Sequence, residues 1–295
     1  MFVTDTMFSS PTQYYRVLLS EPLAPAGQIT IQIAIGKTHV VKPIPAEIEQ
    51  TEKQFLRWTG GQYSHSAYVT EKQKTKLKLP NPEAPEFTVL TPKQDGTEDP
   101  TKVGAGFTYG PYAVVEPSQG SGKQVSIRYE YTSPVITMDK FTREIEVSHW
   151  GGNLAIEEKY WMTNNAAKLK NQFSRVKWAS ANYYSPPTAA VKSLTYNLKV
   201  GTLDPYFTDE IGNVSTSSFR SNFRESHLEI KPRYPVFGGW NYSFTLGWNQ
   251  DLASFVRGKP NGEDFVLRVP FLEGPKEPVV YGEVEVTVIL PEGAT

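Results

Sequence analysis

The chain has 295 residues, 39% of them hydrophobic and 21% charged, a balance typical of globular proteins and not of disordered, collagenous or coiled-coil chains. Its 30 basic and 31 acidic side chains give a formal net charge of −1, so no overall positive field attracts nucleic acid or anionic lipid. The absence of cysteine excludes disulfides, thiolate nucleophiles and thiolate metal sites.

Alternation of apolar and polar residues with a period of two predicts half-buried β-strands along much of the chain. The first alternating run covers residues 29–35, where isoleucines share one face. Further runs follow in chain order, at residues 125–131, 145–147, 194–200, 242–248, 265–269 and 284–290. Short helices are predicted at residues 166–169 and 252–256. The predicted fold class is therefore mainly β, with a few short helices.

Residues 72–78 carry four alternating lysines, which we interpret as the solvated face of an edge strand. Residues 80–122 are rich in proline and glycine turns and are predicted to form long loops. A domain boundary is predicted near Ser133-Pro134, between two strand runs, which divides the chain into domains 1–133 and 134–295.

The chain lacks the signals of membrane insertion. No run approaches the roughly 18 apolar residues that a helix needs to cross a bilayer. The first residues also lack a basic segment followed by an apolar one, the pattern of a signal peptide. We therefore expect either a cytosolic protein or a fragment of a longer one.

Motifs for several common chemistries are absent. The histidines lack the spacing of a His-Glu-x-x-His zinc site; they are His39, His65, His149 and His227. Residues 120–122 lack the spacing of a serine-hydrolase elbow, and residues 122–123 lack that of a phosphate loop. The sequence therefore predicts no catalytic, metal-binding or cofactor-binding residue.

Two adjacent pairs of acids, Glu157-Glu158 and Asp209-Glu210, invite comparison with glycosidases, which need two positioned carboxylates. Adjacent residues on a strand point to opposite faces of the sheet. We therefore interpret both pairs as solvated surface charge. A glycan-active hydrolase stays the alternative enzyme, and it requires two acids about 5 to 10 Å apart in a cleft.

Two triplets match the acceptor pattern for N-glycosylation, Asn213-Val214-Ser215 and Asn241-Tyr242-Ser243. Asn213 is the stronger candidate because it lies in a polar turn that an enzyme can reach. Asn241 begins an aromatic strand, which we expect to hold it close to the packed sheet.

Tryptophans stand beside glycines in two motifs, residues 149–152 and 237–240. Their candidate structural or interaction residues are His149, Trp150, Gly151, Phe237, Gly238, Gly239 and Trp240. We interpret each tryptophan as a large ring packed over bare backbone at a turn. The alternative is an exposed platform of coplanar rings that binds sugars.

Several ordered segments resemble the ribophorin I family. The most specific is Arg-Glu-Ile-Glu-Val-Ser-His-Trp-Gly at residues 143–151. It is followed, in the family's order, by matching segments at residues 155–158, 173–175, 209–217, 232–240 and 288–294. Weaker matches precede it at residues 38–40, 52–55 and 109–111. The resemblance extends from about residue 13 to the C-terminus.

The resemblance implies two tandem β-sandwich-like domains in the lumen of the endoplasmic reticulum, similar to the N-terminal β domain of zinc aminopeptidases. It implies a non-catalytic subunit of the oligosaccharyltransferase that supports N-glycosylation through complex assembly and acceptor presentation. The implied partners are other subunits, including the catalytic one, and nascent acceptor proteins, without a cofactor. From the comparison with the family, we expect the first domain to be N-terminally truncated and the membrane span to lie outside this sequence. The alternative function is a secreted or luminal carbohydrate-binding β module.

Overall fold

The computed structural model describes residues 2–9, 12–19, 21–64, 66, 68–90, 99–117, 122–183, 186–259 and 264–294. The chain forms two compact units, Met1–Thr38 and His39–Thr295. The regular structure described in both is mainly β-strand, which confirms the predicted mainly β fold. Among the described residues, no helix is both long and apolar enough to cross a membrane.

The first unit is a hairpin followed by an extended segment. Strands β1 (Phe2–Ser9) and β2 (Thr12–Leu18) pair antiparallel, with a bulge between Asp5 and Met7. The strand predicted at residues 29–35 is wrong, because this run pairs with no described strand and its isoleucines are 46% to 71% exposed. Alternation decides which side chains share a face, but a strand also needs a neighbour for its backbone groups.

The second unit begins with eight strands. They are β3 (Val41–Pro43), β4 (Glu47–Ile48), β5 (Phe55–Gly61), β6 (Thr70–Lys78), β7 (Glu86–Phe87), β8 (Thr101–Val103), β9 (Gly106–Val115) and β10 (Gln124–Glu130). A four-stranded sheet has the order β3-β5-β10-β7, and a three-stranded sheet has the order β6-β9-β8. Leu56 and Ile127 from the first sheet share a buried core with Phe107 and Tyr109 from the second.

The lysine-rich strand β6 lies at the edge of its sheet, and Lys72, Lys74, Lys76 and Lys78 are all exposed. The predicted solvated edge strand is therefore confirmed.

The prediction of long loops over residues 80–122 is wrong where the ten-residue strand β9 crosses it. Buried Phe107 and Tyr109 hold β9 in the core, so packing overrides the turn signal of Gly110 and the proline after it. The turn signals within residues 91–98 and 118–121 lie outside the described residues.

The rest of the second unit contains longer strands. They are β11 (Ile136–Ser148), β12 (Asn153–Asn164), β13 (Lys168–Leu169), β14 (Leu194–Leu198), β15 (Leu203–Asp209), β16 (Gly212–Asn213), β17 (Ser218–Ser221), β18 (Ser226–Ile230), β19 (Asn241–Asp251), β20 (Val256–Gly258), β21 (Phe265–Leu267) and β22 (Val279–Ile289). A six-stranded sheet has the order β16-β15-β19-β12-β11-β22, in which β22 runs parallel to β11. It shares a core with the three-stranded sheet β14-β18-β17.

Helical structure is sparse among the described residues. The helix predicted at residues 252–256 is a 3-10 turn, Leu252–Ser254, capped by Asp251. The helix predicted at residues 166–169 is wrong, because the chain there enters β13, which pairs in parallel with β4. The prediction also missed α1 (Arg175–Asn182), whose N-cap Ser174 accepts a hydrogen bond from the backbone of Lys177.

Gln54 joins the two groups of sheets within the second unit. Its buried amide nitrogen donates to the carbonyls of Tyr131 and Ser133, at 2.8 and 3.0 Å. Its amide oxygen accepts from the backbone N–H of Ala167 at 2.7 Å. Both groups belong to His39–Thr295, so the boundary at residues 133 and 134 stays a prediction, as does the likeness to aminopeptidase domains.

Candidate functional site: an aromatic cleft and an exposed hairpin tip

A buried ion network lies between the sheets of the C-terminal sandwich. Arg143 on β11 faces Glu158 on β12 in the strand register, and both side chains are fully buried. One guanidinium nitrogen of Arg143 donates to Glu158 and the other donates to Glu273 at 2.7 Å. Tyr160 also donates its hydroxyl to Glu158. Burial raises the pKa of Glu158, opposing Arg143 and the hydroxyl of Tyr160, which lower it.

The interpretation of Glu157 and Glu158 as solvated charge is therefore wrong for Glu158. Glu157 lies on the outer face, as expected, and accepts a hydrogen bond from Tyr206 at 2.6 Å. Glu158 occupies the same strand face as buried Ile156 and Tyr160, so its phase in the alternation was the signal for burial. The buried partner Arg143 makes that burial possible, and nothing in the spacing of the two residues announces it.

Asp209 is the second acid that the surface interpretation misplaced, since its side chain is only 4% exposed. Two nitrogens of Arg233 donate to its two carboxylate oxygens, at 2.8 and 2.9 Å. The hydroxyl of Tyr242 and the backbone N–H of Ile211 add further hydrogen bonds. The Arg233 guanidinium and these donors lower the pKa of Asp209 to about 2. Its neighbour Glu210 is exposed, as predicted.

Arg233 forms part of a cleft of about 750 Å³, which we call the aromatic cleft. Its walls come from the segment before α1, from α1, from the connection between β18 and β19, and from the start of β19. The lining residues are Phe173, Arg175, Trp178, Arg233, Tyr234, Pro235, Trp240 and Asn241. The volume lies within the range of small-molecule sites.

The rings of the cleft meet edge to face. Trp240 contacts Phe173, Tyr234 and Phe237 with interplanar angles of 76°, 70° and 72°. Trp178 contacts Phe237 at 74°. This arrangement fixes the ring positions, and it differs from the coplanar platform that the sugar-binding alternative requires.

Glycines determine how Trp240 reaches the cleft. A side chain at Gly238 would place its Cβ 2.0 Å from the carbonyl oxygen of Ala167, so only glycine fits there. Gly239 has φ +79° and donates its N–H to Asn164 at 2.7 Å. The preceding Phe237 is buried. The structure thus places Trp240 and its glycines in a packed turn beside the cleft.

The other tryptophan motif forms the β11–β12 tip, residues 149–152, which connects the two longest neighbouring strands of the large sheet. Trp150 is 92% exposed, and its ring lies 5.4 Å from that of His149. A Cβ at Gly151 would meet Ser148 at 3.6 Å, an ordinary contact. The interpretation of Trp150 as a ring packed over bare backbone is therefore wrong, because a hairpin end has no neighbouring strand to receive it.

Both sequon asparagines are exposed. Asn213 lies in the short strand β16, and its neighbour Val214 is buried. Asn241 is the first residue of β19, where Tyr242 faces the core and Asn241 faces outwards. Packing of the aromatic strand therefore leaves the Asn241 side chain open, contrary to expectation.

Histidine and carboxylate groups do not converge into a metal site in the described parts of the chain, where no group of three or more such residues could hold an ion. His39 lies in the connection before β3, His227 lies in β18, and His149 lies at the β11–β12 tip. His65 falls outside the described residues.

Comparison with known proteins gives the chain a family. The family model described as Ribophorin I matches residues 3–295. Subunit 1 of the dolichyl-diphosphooligosaccharide–protein glycosyltransferase of Schizosaccharomyces pombe is 34% identical over 281 residues, 95% of this chain and 61% of the relative. Subunit 1B of Arabidopsis thaliana is 33% identical, over 96% of this chain and 58% of the relative.

Subunit 1 of Caenorhabditis elegans is 32% identical over 94% of this chain and 45% of the relative. The chain thus spans about half of the length of these relatives. The range that the family model matches includes the β11–β12 tip and the aromatic cleft. The chain belongs to the ribophorin I family.

Proposed function

We propose that this chain forms a luminal, non-catalytic part of an oligosaccharyltransferase subunit in the endoplasmic reticulum. It supports N-linked glycosylation by holding the complex together and by presenting acceptor proteins. The names of the relatives, which are subunits of a dolichyl-diphosphooligosaccharide–protein glycosyltransferase, support the assignment to this complex.

The observation that carries the non-catalytic role is the position of the paired acids. Glu158 and Glu273 meet at the guanidinium of Arg143, the kind of convergence that a hydrolase needs. Glu158 and Arg143 are fully buried, and the guanidinium occupies the space between the two carboxylates. A substrate cannot enter between the two carboxylates while the guanidinium fills that space, which supports a structural role for the pair.

The β11–β12 tip supports a role in assembly. Trp150 presents nearly its whole indole ring to solvent at the end of the β11–β12 hairpin. Tryptophan is enriched among the residues that dominate binding energy at protein interfaces. We therefore assign Trp150 to a contact with another subunit of the complex.

The aromatic cleft favours a second candidate, a carbohydrate-binding β module. Aromatic rings and two arginines form its walls, a combination suited to sugar recognition. The edge-to-face rings give it the form of a recess in place of a flat platform. Loss of glycan-array binding on Trp240→Ala, with the fold retained, would favour this module over the scaffold.

The scaffold is tested by affinity purification of the tagged full-length protein from detergent-solubilised endoplasmic reticulum. We expect the catalytic subunit to be recovered in near-equal amount with the wild type. Trp150→Ala should reduce this recovery about tenfold. The matched control is Phe223→Ala, which removes an 83% exposed ring from the turn between β17 and β18 and should have no effect. Failure of the folded wild type to recover the catalytic subunit would overturn the proposal.

A further inference from the structure

The sequon asparagine Asn241 is itself part of the wall of the aromatic cleft. It is exposed, and the strand that begins with it turns the next side chain, Tyr242, into the core. Asn213, the other sequon asparagine, does not line the cleft. A glycan attached to Asn241 would therefore begin at the cleft, whereas one attached to Asn213 would begin outside it.

The side-chain amide of Asn241 is held in a way that glycosylation preserves. The hydroxyl of Thr163, which also donates to Asp139, lies 3.1 Å from the amide oxygen. The amide nitrogen, the atom that receives the sugar, has no hydrogen-bond partner among the described residues. Attachment of a glycan to the nitrogen leaves the amide oxygen and its contact with Thr163 unchanged, so the same local structure accommodates the modified side chain.

The chemistry of the cleft suits sugar rings. The faces of aromatic rings carry partial negative charge and attract the electropositive C–H groups on one face of a pyranose. Tyr234 is 41% exposed, and Trp178 and Trp240 are partly exposed, so ring surface is accessible.

Arginine supplies the polar part of the same cleft. Arg175 forms no ion pair with a described residue, which leaves its guanidinium donors available for sugar hydroxyl and acetamide oxygens. Arg233 is held in place by Asp209. The volume of about 750 Å³ is sufficient for the first two sugars of a glycan.

We propose that Asn241 carries an N-linked glycan whose first N-acetylglucosamine units lie in the aromatic cleft. In the transfer, the Asn241 amide nitrogen forms a bond to C1 of the sugar and loses a proton. The bond between C1 and the diphosphate of a lipid-linked oligosaccharide breaks, and the lipid diphosphate leaves. This inference rests on the luminal placement proposed above, since the donor lipid acts in that compartment.

The test compares the two sequons within one molecule. The full chain is directed into the secretory pathway of a eukaryotic cell, purified, and treated with an endoglycosidase either folded or denatured. Mass spectrometry then measures the glycan remaining on the peptides that contain Asn213 and Asn241. We expect both sites to be occupied, with release from Asn241 about tenfold slower than from Asn213 in the folded chain and equal after denaturation.

Two variants identify the cleft as the cause. Trp178→Ala removes a ring of the wall, and Arg175→Ala removes an exposed cation without disturbing the core. Each should accelerate release from Asn241 in the folded chain toward the rate at Asn213. Phe223→Ala changes a residue that does not line the cleft and should leave the rate unchanged.

The outcomes separate this inference from the function on which it rests. An occupied Asn213 with an empty Asn241 overturns the inference and leaves the luminal placement standing. Equal release rates in the folded chain show an exposed glycan and overturn it too. Two empty sites contradict both the inference and the luminal placement.

Discussion

Two regions of this molecule have nearly the same composition, a tryptophan beside paired glycines, and opposite environments. At the β11–β12 tip Trp150 is 92% exposed, whereas Trp240 is packed edge to face among rings of the aromatic cleft. The difference comes from the neighbouring elements. The turn before Trp240 lies against Ala167, and α1 brings Trp178 to Phe237, while a hairpin end has no such neighbours. The motif alone therefore does not predict whether its tryptophan is exposed. The packing of the neighbouring elements decides this, and with it whether the ring can form a contact surface.

The largest effect is expected in the hairpin that supports Trp150. Arg143→Met leaves the buried carboxylate of Glu158 without its cation, so we expect the free energy of unfolding to fall by about 3 to 5 kcal/mol. Urea denaturation measures this change. The control is Lys159→Met, which removes a half-exposed cation from the outer face of the neighbouring strand β12 and should cost less than about 0.5 kcal/mol. Similar losses for the two variants would contradict a buried network.

The second-largest effect is expected for the glycines beside the two tryptophans, whose substitution should change the free energy of unfolding to different extents. Gly238→Ala forces a Cβ against the carbonyl oxygen of Ala167, so we expect a loss of about 3 kcal/mol in the free energy of unfolding. Gly151→Ala meets only an ordinary contact with Ser148 and should change stability by less than about 0.5 kcal/mol. Thermal unfolding of the two variants compares them directly, and equal tolerance of both changes would refute the packed turn.

Substitution of the tryptophans themselves should also destabilise the packed turn more than the β11–β12 tip, with a smaller difference in the free energy of unfolding. Trp240→Ala removes a partly buried ring from an aromatic cluster, and we expect a loss of about 2 to 3 kcal/mol in the free energy of unfolding. Trp150→Ala removes a solvated ring and should leave stability within about 0.5 kcal/mol of the wild type. A clear destabilisation by Trp150→Ala would mean that the tip packs within the chain.

The smallest effect concerns the ion pair that holds Arg233 at the cleft. The pKa of Asp209 is about 2 in the folded chain against an ordinary value of 3.8, so its stabilising effect is complete above pH 5 and is lost as the pH falls toward 2. Because Arg233 is partly exposed, we expect Asp209→Asn to cost about 1 to 2 kcal/mol at pH 7.

Urea midpoints measured between pH 3 and pH 7 test this dependence. The difference between the wild type and Asp209→Asn should shrink below pH 4, because the wild-type carboxylate then begins to lose its advantage. Glu210→Gln, which changes the exposed neighbouring acid, is the matched control and should show little difference at any pH. A penalty for Asp209→Asn that is constant with pH would rule out the ion pair as its source.

Strand patterning could be predicted from the sequence where each strand has a partner. The runs at residues 125–131 and 242–248 became β10 and most of β19, because core side chains alternate there without interruption. The same signal failed at residues 29–35, where the isoleucines are exposed and pair with no described strand. Alternation reports the faces of a strand, and pairing depends on residues distant in sequence.

The candidate site was less predictable than the strands. The sequons and both tryptophan motifs were identifiable, but the cleft combines Phe173 with residues 233–241, which only the tertiary fold brings together. Glu158 was detectable from its apolar phase on β12, although its partner Arg143 was not. Helix α1 has no acidic residue in its first turn and weak amphipathic character, so local signals were insufficient.

Site-specific photo-crosslinking tests the central claim that Trp150 contacts another subunit. A photoreactive amino acid is placed at position 150 of the full-length protein, and at position 223 as a similarly exposed control, before assembly in cells. The account predicts a crosslink from position 150 to a subunit of the oligosaccharyltransferase and none to that subunit from position 223. A folded, assembled protein that forms no crosslink from position 150 would contradict the account.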